Sequence, residues 1–165
     1  MTFATSQQIT LALLDVSRLL RDAFEDAYRD MKITWPQIRI IRRLYIEEGV
    51  GQSEVGTQIE MDAMTISRQI DKLVDLGFVE RRMEAGDRRL RRLYLTNHSR
   101  GLREEMETRM EGVLQGALQS LDEAQQDAFL AMLNAVAGDL SAKTAATSSK
   151  HRSKNANADQ AMMAE

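Results

Sequence analysis

The chain has no cysteine, one proline, two histidines and only 5% aromatic residues among its 165 positions. Without cysteine there is no disulfide, no thiolate metal ligand, no cysteine nucleophile and no thiol-based redox sensing. With only His98 and His151 available, no transition-metal site is expected, and no cofactor. Nor does any apolar run approach the roughly 20 residues that span a bilayer. The opening MTFATSQQIT lacks the basic region and apolar stretch of a signal peptide, so a cytoplasmic protein without a membrane partner is expected. An enzyme is not expected: there is no nucleophile set beside a base, no glycine-rich phosphate loop and no carboxylate pair in an apolar setting.

What remains is an ordinary core-forming composition, 43% hydrophobic, with one unusual concentration of charge. In FVERRMEAGDRRLRRLYLT (78–96), two β-branched and aromatic runs flank a polar loop with a Gly-Asp turn, the pattern of a β-hairpin. Six arginines lie between Arg81 and Arg92 against Glu84 and Asp87, a local charge of +4, whereas the whole chain carries −3. An acidic protein with its positive charge on one projecting loop points to a phosphate-bearing partner met by that loop. Arginine suits the task, because its planar guanidinium forks onto phosphate oxygens or enters a narrow minor groove.

Helical periodicity organises the rest. Ile9, Leu13, Val16, Leu20, Phe24 and Tyr28 mark a first amphipathic helix over about residues 7–31. Thr34 and Gln37 form a capping box for a second, with Pro36 tolerated in its first turn and Ile38, Ile41, Leu44 and Tyr45 as its buried stripe. Gly49 and Gly51 break the chain before a short helix, about 52–59, in which Gly56 is expected to admit a close neighbour. AMTISRQIDKLVDLG then places Ile66, Ile70 and Leu73 on one face and ends at Gly77 as a C′ residue. Beyond the hairpin, a long helix carries Leu102, Met106, Met110, Val113, Ala117 and Leu121. Ser120 and Glu123 are expected to cap a last helix that buries Phe129, Met132, Leu133, Val136 and Leu140. From residue 142 the chain has almost no branched apolar side chains and is expected to be disordered.

Two helices joined by a tight turn, the second polar on one face and followed at once by a basic hairpin, is the order of a winged helix-turn-helix. In that unit the second helix enters the major groove of DNA and the wing reaches the adjacent minor groove. The recognition-helix candidates are Ala63, Met64, Thr65, Ser67, Arg68, Gln69 and Lys72, and the wing candidates are Arg88, Arg89 and Arg91. Alone, Arg68, Gln69 and Lys72 read as a solvated helix face; beside the arginine-rich hairpin they read as an interface. Asp87 repels phosphate, and is expected either to cap the turn or to hold an arginine by paired hydrogen bonds.

Over residues 34–101 the chain resembles the MarR/SlyA family of transcriptional regulators. QSEVGTQIEMDAMTISRQIDKLVDLGFVERR is similar to that family's helix-turn-helix. DRRLRRLYLT (87–96) resembles its wing motif of Asp, any residue and Arg, followed by basic residues and a Leu-Thr ending. The resemblance implies that Thr65, Ser67, Arg68 and Gln69 lie on the recognition helix and that Arg89 and Arg91 serve the wing. It also implies a homodimer built by the first and last helices, which the terminal apolar stripes independently allow. Two departures stand out: Glu60 occupies a position where the family often has glycine, and Ser99 or Gly101 replaces a glycine after Thr96. The family's peroxide-sensing branch works through a cysteine and is excluded here.

The fold expected is mainly α with a small β-hairpin wing, a winged helix-turn-helix with a helical dimerisation region. Its parts are a dimerisation helix (1–33), the DNA-binding lobe (34–99), C-terminal dimerisation helices (100–141) and a disordered tail (142–165). The resemblance further implies a small aromatic or phenolic ligand, for which Tyr28, Trp35, Arg39, Arg43, Tyr45 and His98 are the candidate residues. Aromatics at helical spacing are more often core, so this set is also readable as packing. The function expected is a sequence-specific regulator, a repressor on a pseudo-palindromic operator modulated by that ligand. The alternative is a ligand-insensitive architectural DNA-binding protein.

Overall fold

The computed structural model describes residues 3–84 and 87–162, with backbone only for 87–90 and 144–162. The elements run α1 (Phe3–Ala27), a 3-10 turn (Arg29–Met31), α2 (Trp35–Ile46), β1 (Val50–Gly51), α3 (Gln52–Gln58), α4 (Ala63–Asp75), β2 (Val79–Glu84), β3 (Asp87–Leu95), α5 (Asn97–Gly101), α6 (Arg103–Leu118) and α7 (Glu123–Met162). They form two compact units, Met1–Ala117 and Leu118–Glu165. The chain is mainly helical with one small antiparallel sheet of strand order β1-β3-β2, as the winged helix-turn-helix pattern requires. Among the described residues no helix is long and apolar enough to cross a membrane.

The core of the first unit gathers around α2, where Ile38, Ile40, Ile41 and Leu44 are fully buried. The Thr34 backbone N–H donates to Gln37 Oε1 at 2.8 Å, which ties down the α2 start with a side chain that is itself buried. Val55, Ile66, Ile70 and Leu73 close over α2 from α3 and α4, and Phe78, Val79, Leu93 and Leu95 from the sheet. Gly56 lets α3 and α4 meet: a Cβ there would lie 3.1 Å from the Met61 carbonyl oxygen and 3.3 Å from Ile66 Cγ2. Two arginines of α2 fasten the far end of α3. Arg39 donates to the Ile59 carbonyl, a backbone group that the helix end leaves open, and Arg43 to the Gln58 side-chain Oε1.

Both helices of the pair stop in the same way. The Phe78 N–H bonds to the Leu73 carbonyl at 2.9 Å and the Gly77 N–H to Val74 at 3.0 Å, a Schellman closure with Gly77 at φ 75°. In α3 the matching bonds run from Met61 to Gly56 at 2.8 Å and from Glu60 to Thr57 at 3.3 Å. Here the left-handed position is Glu60, at φ 53°. The departure noted in the sequence is therefore a strained residue holding a glycine geometry.

Several boundaries differ from the sequence expectation. The short strand β1 pairs Val50 with Leu93 and Gly51 with Arg92, a two-residue element too brief to leave a periodic signal. The first helix stops at Ala27 rather than Met31, and the chain turns through Lys32 at φ 57°. The helix after Thr96 is two helices: α5, whose start is capped by Thr96 Oγ1 accepting from the Ser99 N–H at 3.1 Å, ends at Gly101 with Leu102 as its C-cap, and α6 begins at Arg103. The cap of α7 is shifted by two residues: Asp122 and Gln125 exchange hydrogen bonds, each 2.9 Å, where Ser120 and Glu123 were expected. α7 continues through Ser141 to Met162, over an alanine-containing stretch without proline or glycine. Of the stripe on α1 only Phe24 and Tyr28 are buried, while Ile9 and Val16 are exposed; Met132, Val136 and Leu140 of α7 are exposed as well.

The strain at Glu60 has a measurable consequence. Glu60→Gly removes the left-handed penalty of about 1–2 kcal/mol and adds back part of it as unfolded-chain entropy, for a net gain of roughly 0.5–1 kcal/mol. Urea unfolding is expected to show a higher midpoint with an unchanged slope; an equal or lower midpoint would contradict the strain.

Candidate nucleic-acid interface

Burial of Ile66, Ile70 and Leu73 turns the opposite face of α4 to solvent. Along that face Met64, Arg68 and Lys72 follow one another at four-residue spacing, all three exposed. Ala63 is exposed too, and Ser67 is half-buried. Neither Arg68 nor Lys72 has an ion-pair partner among the described residues. Two of the expected contact residues, Thr65 and Gln69, are half-buried. Gln69 is half-buried with its side-chain oxygen enclosed and without a hydrogen-bond partner. Thr65 belongs to the start of the helix: Asp62 Oδ1 accepts from the Met64 N–H at 3.1 Å and the Thr65 N–H at 2.9 Å.

Asp62 is the helix cap that the sequence reading passed over, although an Asp directly before a periodic helix is the ordinary signal for one. Hydrogen bonds from Thr65, side chain first and backbone second, hold the Asp62 carboxyl below its usual range, and its position at a helix N-terminus acts in the same sense.

The hairpin flanks this face. β2 and β3 pair from Val79↔Leu95 to Met83↔Arg91, with an irregularity between Met83 and Glu84. Its six arginines do not act alike. Arg81 bonds Asp71 at 2.7 Å and so links β2 to α4. Arg82 pairs with Glu80 and lies over the Tyr94 ring at 4.4 Å, and Arg92 meets Glu84 at 2.9 Å. Three of the six positive charges are thus matched by acids within the lobe. Arg91 is exposed without an ion pair among the described residues. Asp87, Arg88 and Arg89 lie on the β3 backbone, and their side chains fall outside the described residues, as does the Gly-Asp turn at Gly86. The base of the hairpin is held by Glu48, which accepts from the Leu95 N–H at 3.3 Å and from Arg100 Nη2 at 2.6 Å.

The six residues singled out for a small ligand are dispersed. Trp35 stacks on Phe24 with centroids 4.4 Å apart, and His98 meets the Phe78 ring edge-on at 5.4 Å. Arg39 and Arg43 are the α3 fasteners described above, so neither points into a common site with the aromatics. Tyr28 and Tyr45 alone come together, in a cavity of about 250 Å³ between the turn after α1, α2 and α6, lined also by Arg42, Arg103, Met106, Glu107, Met110 and Glu111. The Tyr28 hydroxyl donates to the Met106 carbonyl and the Tyr45 hydroxyl to the Ser99 carbonyl, each within 2.6 Å. Burial raises both phenol pKa values, which keeps these donors protonated. Arg42, Arg103 and Met110 were not singled out in the sequence because the cavity appears only when α6 folds back on α2.

With this geometry in hand, the chain can be set against known proteins. Residues 33–90 match the model of the MarR family. The regulator TtmR of Methylorubrum extorquens is 32% identical over 89 residues, which cover 52% of this chain and 46% of TtmR, so the chain spans about half the length of that relative. A MarR transcriptional regulator from Methanosarcina mazei superposes with a TM-score of 0.72 at 26% identity, over 81% of this chain and 96% of that one. A mutant MarR from E. coli complexed with operator DNA gives a TM-score of 0.72 at 18% identity, over 82% and 98% of the two chains, a likeness of fold.

The Asp62 cap generates a pH prediction. Its folded pKa lies below the ordinary value of 3.8, so its contribution is complete above that value and is lost as pH falls through the folded one. Asp62→Asn keeps an accepting oxygen without the titration. Between pH 6 and pH 3 the thermal midpoint of the wild type is expected to fall further than that of the variant. Parallel curves would show that the carboxylate adds nothing beyond its geometry.

Proposed function

We propose that the chain, which matches the MarR family model over residues 33–90, is a MarR-family, sequence-specific DNA-binding transcriptional regulator that works in the cytoplasm as a homodimer and represses from a pseudo-palindromic site. The observation that carries the reading is the outward stripe of α4, where Arg68 and Lys72 stand exposed and unmatched beside a hairpin whose inner arginines are neutralised. Charges already paired within the lobe gain little from phosphate; unpaired ones release counterions on binding. The stripe then supplies base contacts, and Arg88, Arg89 and Arg91 of the wing supply minor-groove or backbone contacts.

A second copy accounts for the apolar surface of the first unit. Val16, Leu19, Leu20 and Ala23 of α1 and Gly112, Val113, Gly116 and Ala117 of α6 line an open apolar groove, and the exposed Ile9 extends the same face of α1. A continuous apolar surface of this kind is characteristic of an interface. Two α4 helices related by a two-fold axis would engage half-sites about 34 Å apart.

The cavity beside Tyr28 and Tyr45 favours ligand modulation over a purely architectural role. It has apolar walls from Met106 and Met110; Arg103 is paired with Glu107, which leaves Arg42, exposed and without an ion pair among the described residues, to anchor an anionic aromatic compound. Such a ligand releases DNA only by preferring the dimer that does not bind it.

Binding of duplexes selected from a random pool, followed by fluorescence anisotropy, tests these points. Arg68→Ala is expected to cost roughly 1–3 kcal/mol per half-site on the selected duplex and to relax base preference at one position. An equal loss on random DNA would move Arg68 to a backbone role. Arg89→Ala is expected to weaken both duplexes alike and to lower the salt-dependence slope by about one unit; unchanged affinity at matched salt would remove it from the interface. Aromatic and phenolic acids titrated against the complex are expected to weaken it about 5- to 150-fold. No effect from any of them would favour the architectural reading.

A further inference from the structure

Resting on the reading of α4 as the DNA-contacting helix, we propose that Met64 is a specificity-determining residue that reads a thymine through its 5-methyl group, so that each half-site prefers an A·T pair under the first turn of α4. Met64 is 65% exposed and stands on the same stripe as Arg68 and Lys72, directly opposite the buried Ile66, Ile70 and Leu73. The stripe continues with Arg68 and Lys72, and the exposed Asp71 and Asp75 stand beside them, so the thioether is an apolar group within a polar, charged face. The first turn is held rigidly beneath it. Asp62 occupies the Met64 and Thr65 backbone N–H groups, and those amides are therefore not open to a phosphate. What the first turn offers a partner is side chains, and the most projecting of them is apolar.

Among major-groove base-edge groups the thymine C5-methyl is the one apolar group that projects toward a side chain; the cytosine C5–H lies flush with the base, and the rest are hydrogen-bond donors or acceptors. A methionine pressed on any other edge would strip water from a polar group without replacing its hydrogen bond. Pressed on the methyl, it buries apolar surface on both sides. The unbranched, polarizable side chain adapts to that contact without requiring a fixed rotamer.

The test replaces thymine by uracil, which removes the methyl and leaves every hydrogen-bonding group in place. A high-affinity duplex is first selected from a random pool with the full-length protein. Each symmetry-related pair of thymines in it is then replaced by deoxyuridine, and affinity is measured for the wild type, Met64→Ala and Met64→Leu. At one thymine position the wild type is expected to lose about fourfold per half-site, the value for burying one methyl-sized group, or roughly fifteenfold for the pair. Met64→Ala should bind thymine and uracil duplexes equally at that position, whereas Met64→Leu should still discriminate. An unchanged thermal midpoint in both variants checks that the exposed site leaves folding intact. If no thymine responds, or if Met64→Ala responds as strongly as the wild type, the assignment is overturned while DNA reading by α4 stands. If the random pool yields no preferred sequence, the underlying reading fails and this inference with it.

Discussion

Burial of Ile66, Ile70 and Leu73 sets the rotation of α4 about its own axis, and the reading of DNA proposed for this protein depends on that rotation. An α-helix has one degree of freedom that its hydrogen bonds do not determine, the direction its polar face takes, and only packing decides it. Here α3 presses on α4 at Gly56, with contacts tight enough that an added methyl would meet the Met61 carbonyl. Asp62 defines where α4 begins and Gly77 where it ends. Arg39 and Arg43 hold the far side of α3 to α2. The outward stripe is thus positioned by apolar burial and by helix ends satisfied with side chains, without any requirement that the stripe residues themselves contact the lobe.

The hairpin shows why local charge is not the same as available charge. Counting residues yields a uniformly basic loop, but the fold divides it. Arg81, Arg82 and Arg92, near the base, spend their guanidinium groups on Asp71, Glu80 and Glu84. Those pairs are partly exposed and contribute little to stability. Their effect is geometric: Arg81 ties the wing to the helix beside it, and Arg82 lies against Tyr94.

Much of this was legible beforehand because the signals were periodic. The three-four spacing through α2 and α4, the Thr34 cap and the Gly77 stop each follow from short-range chemistry, and each recurs in the structure. The expectations that missed depended on contacts distant in sequence. β1 exists only because Val50 finds Leu93, and the cavity exists only because α6 brings Met106 to Tyr28 and Tyr45, 78 and 61 residues away. Arg39 and Arg43 looked like ligand anchors because a basic residue near aromatics is all a sequence can display. Their assignment to the α3 terminus required knowing where α3 ends. The stripes of α1 and α7 were read correctly as apolar but not as buried, since a single chain does not cover them.

The absence of cysteine makes the central claim open to a direct physical test. Lys72→Cys, on the outward face of α4, places the only thiol in the protein and accepts an iron–EDTA reagent that cleaves nearby DNA. The account predicts two discrete cleavage clusters on a selected duplex, one per half-site and about one helical turn, roughly 34 Å, apart. Diffuse cleavage indistinguishable from that of the untethered reagent would contradict it.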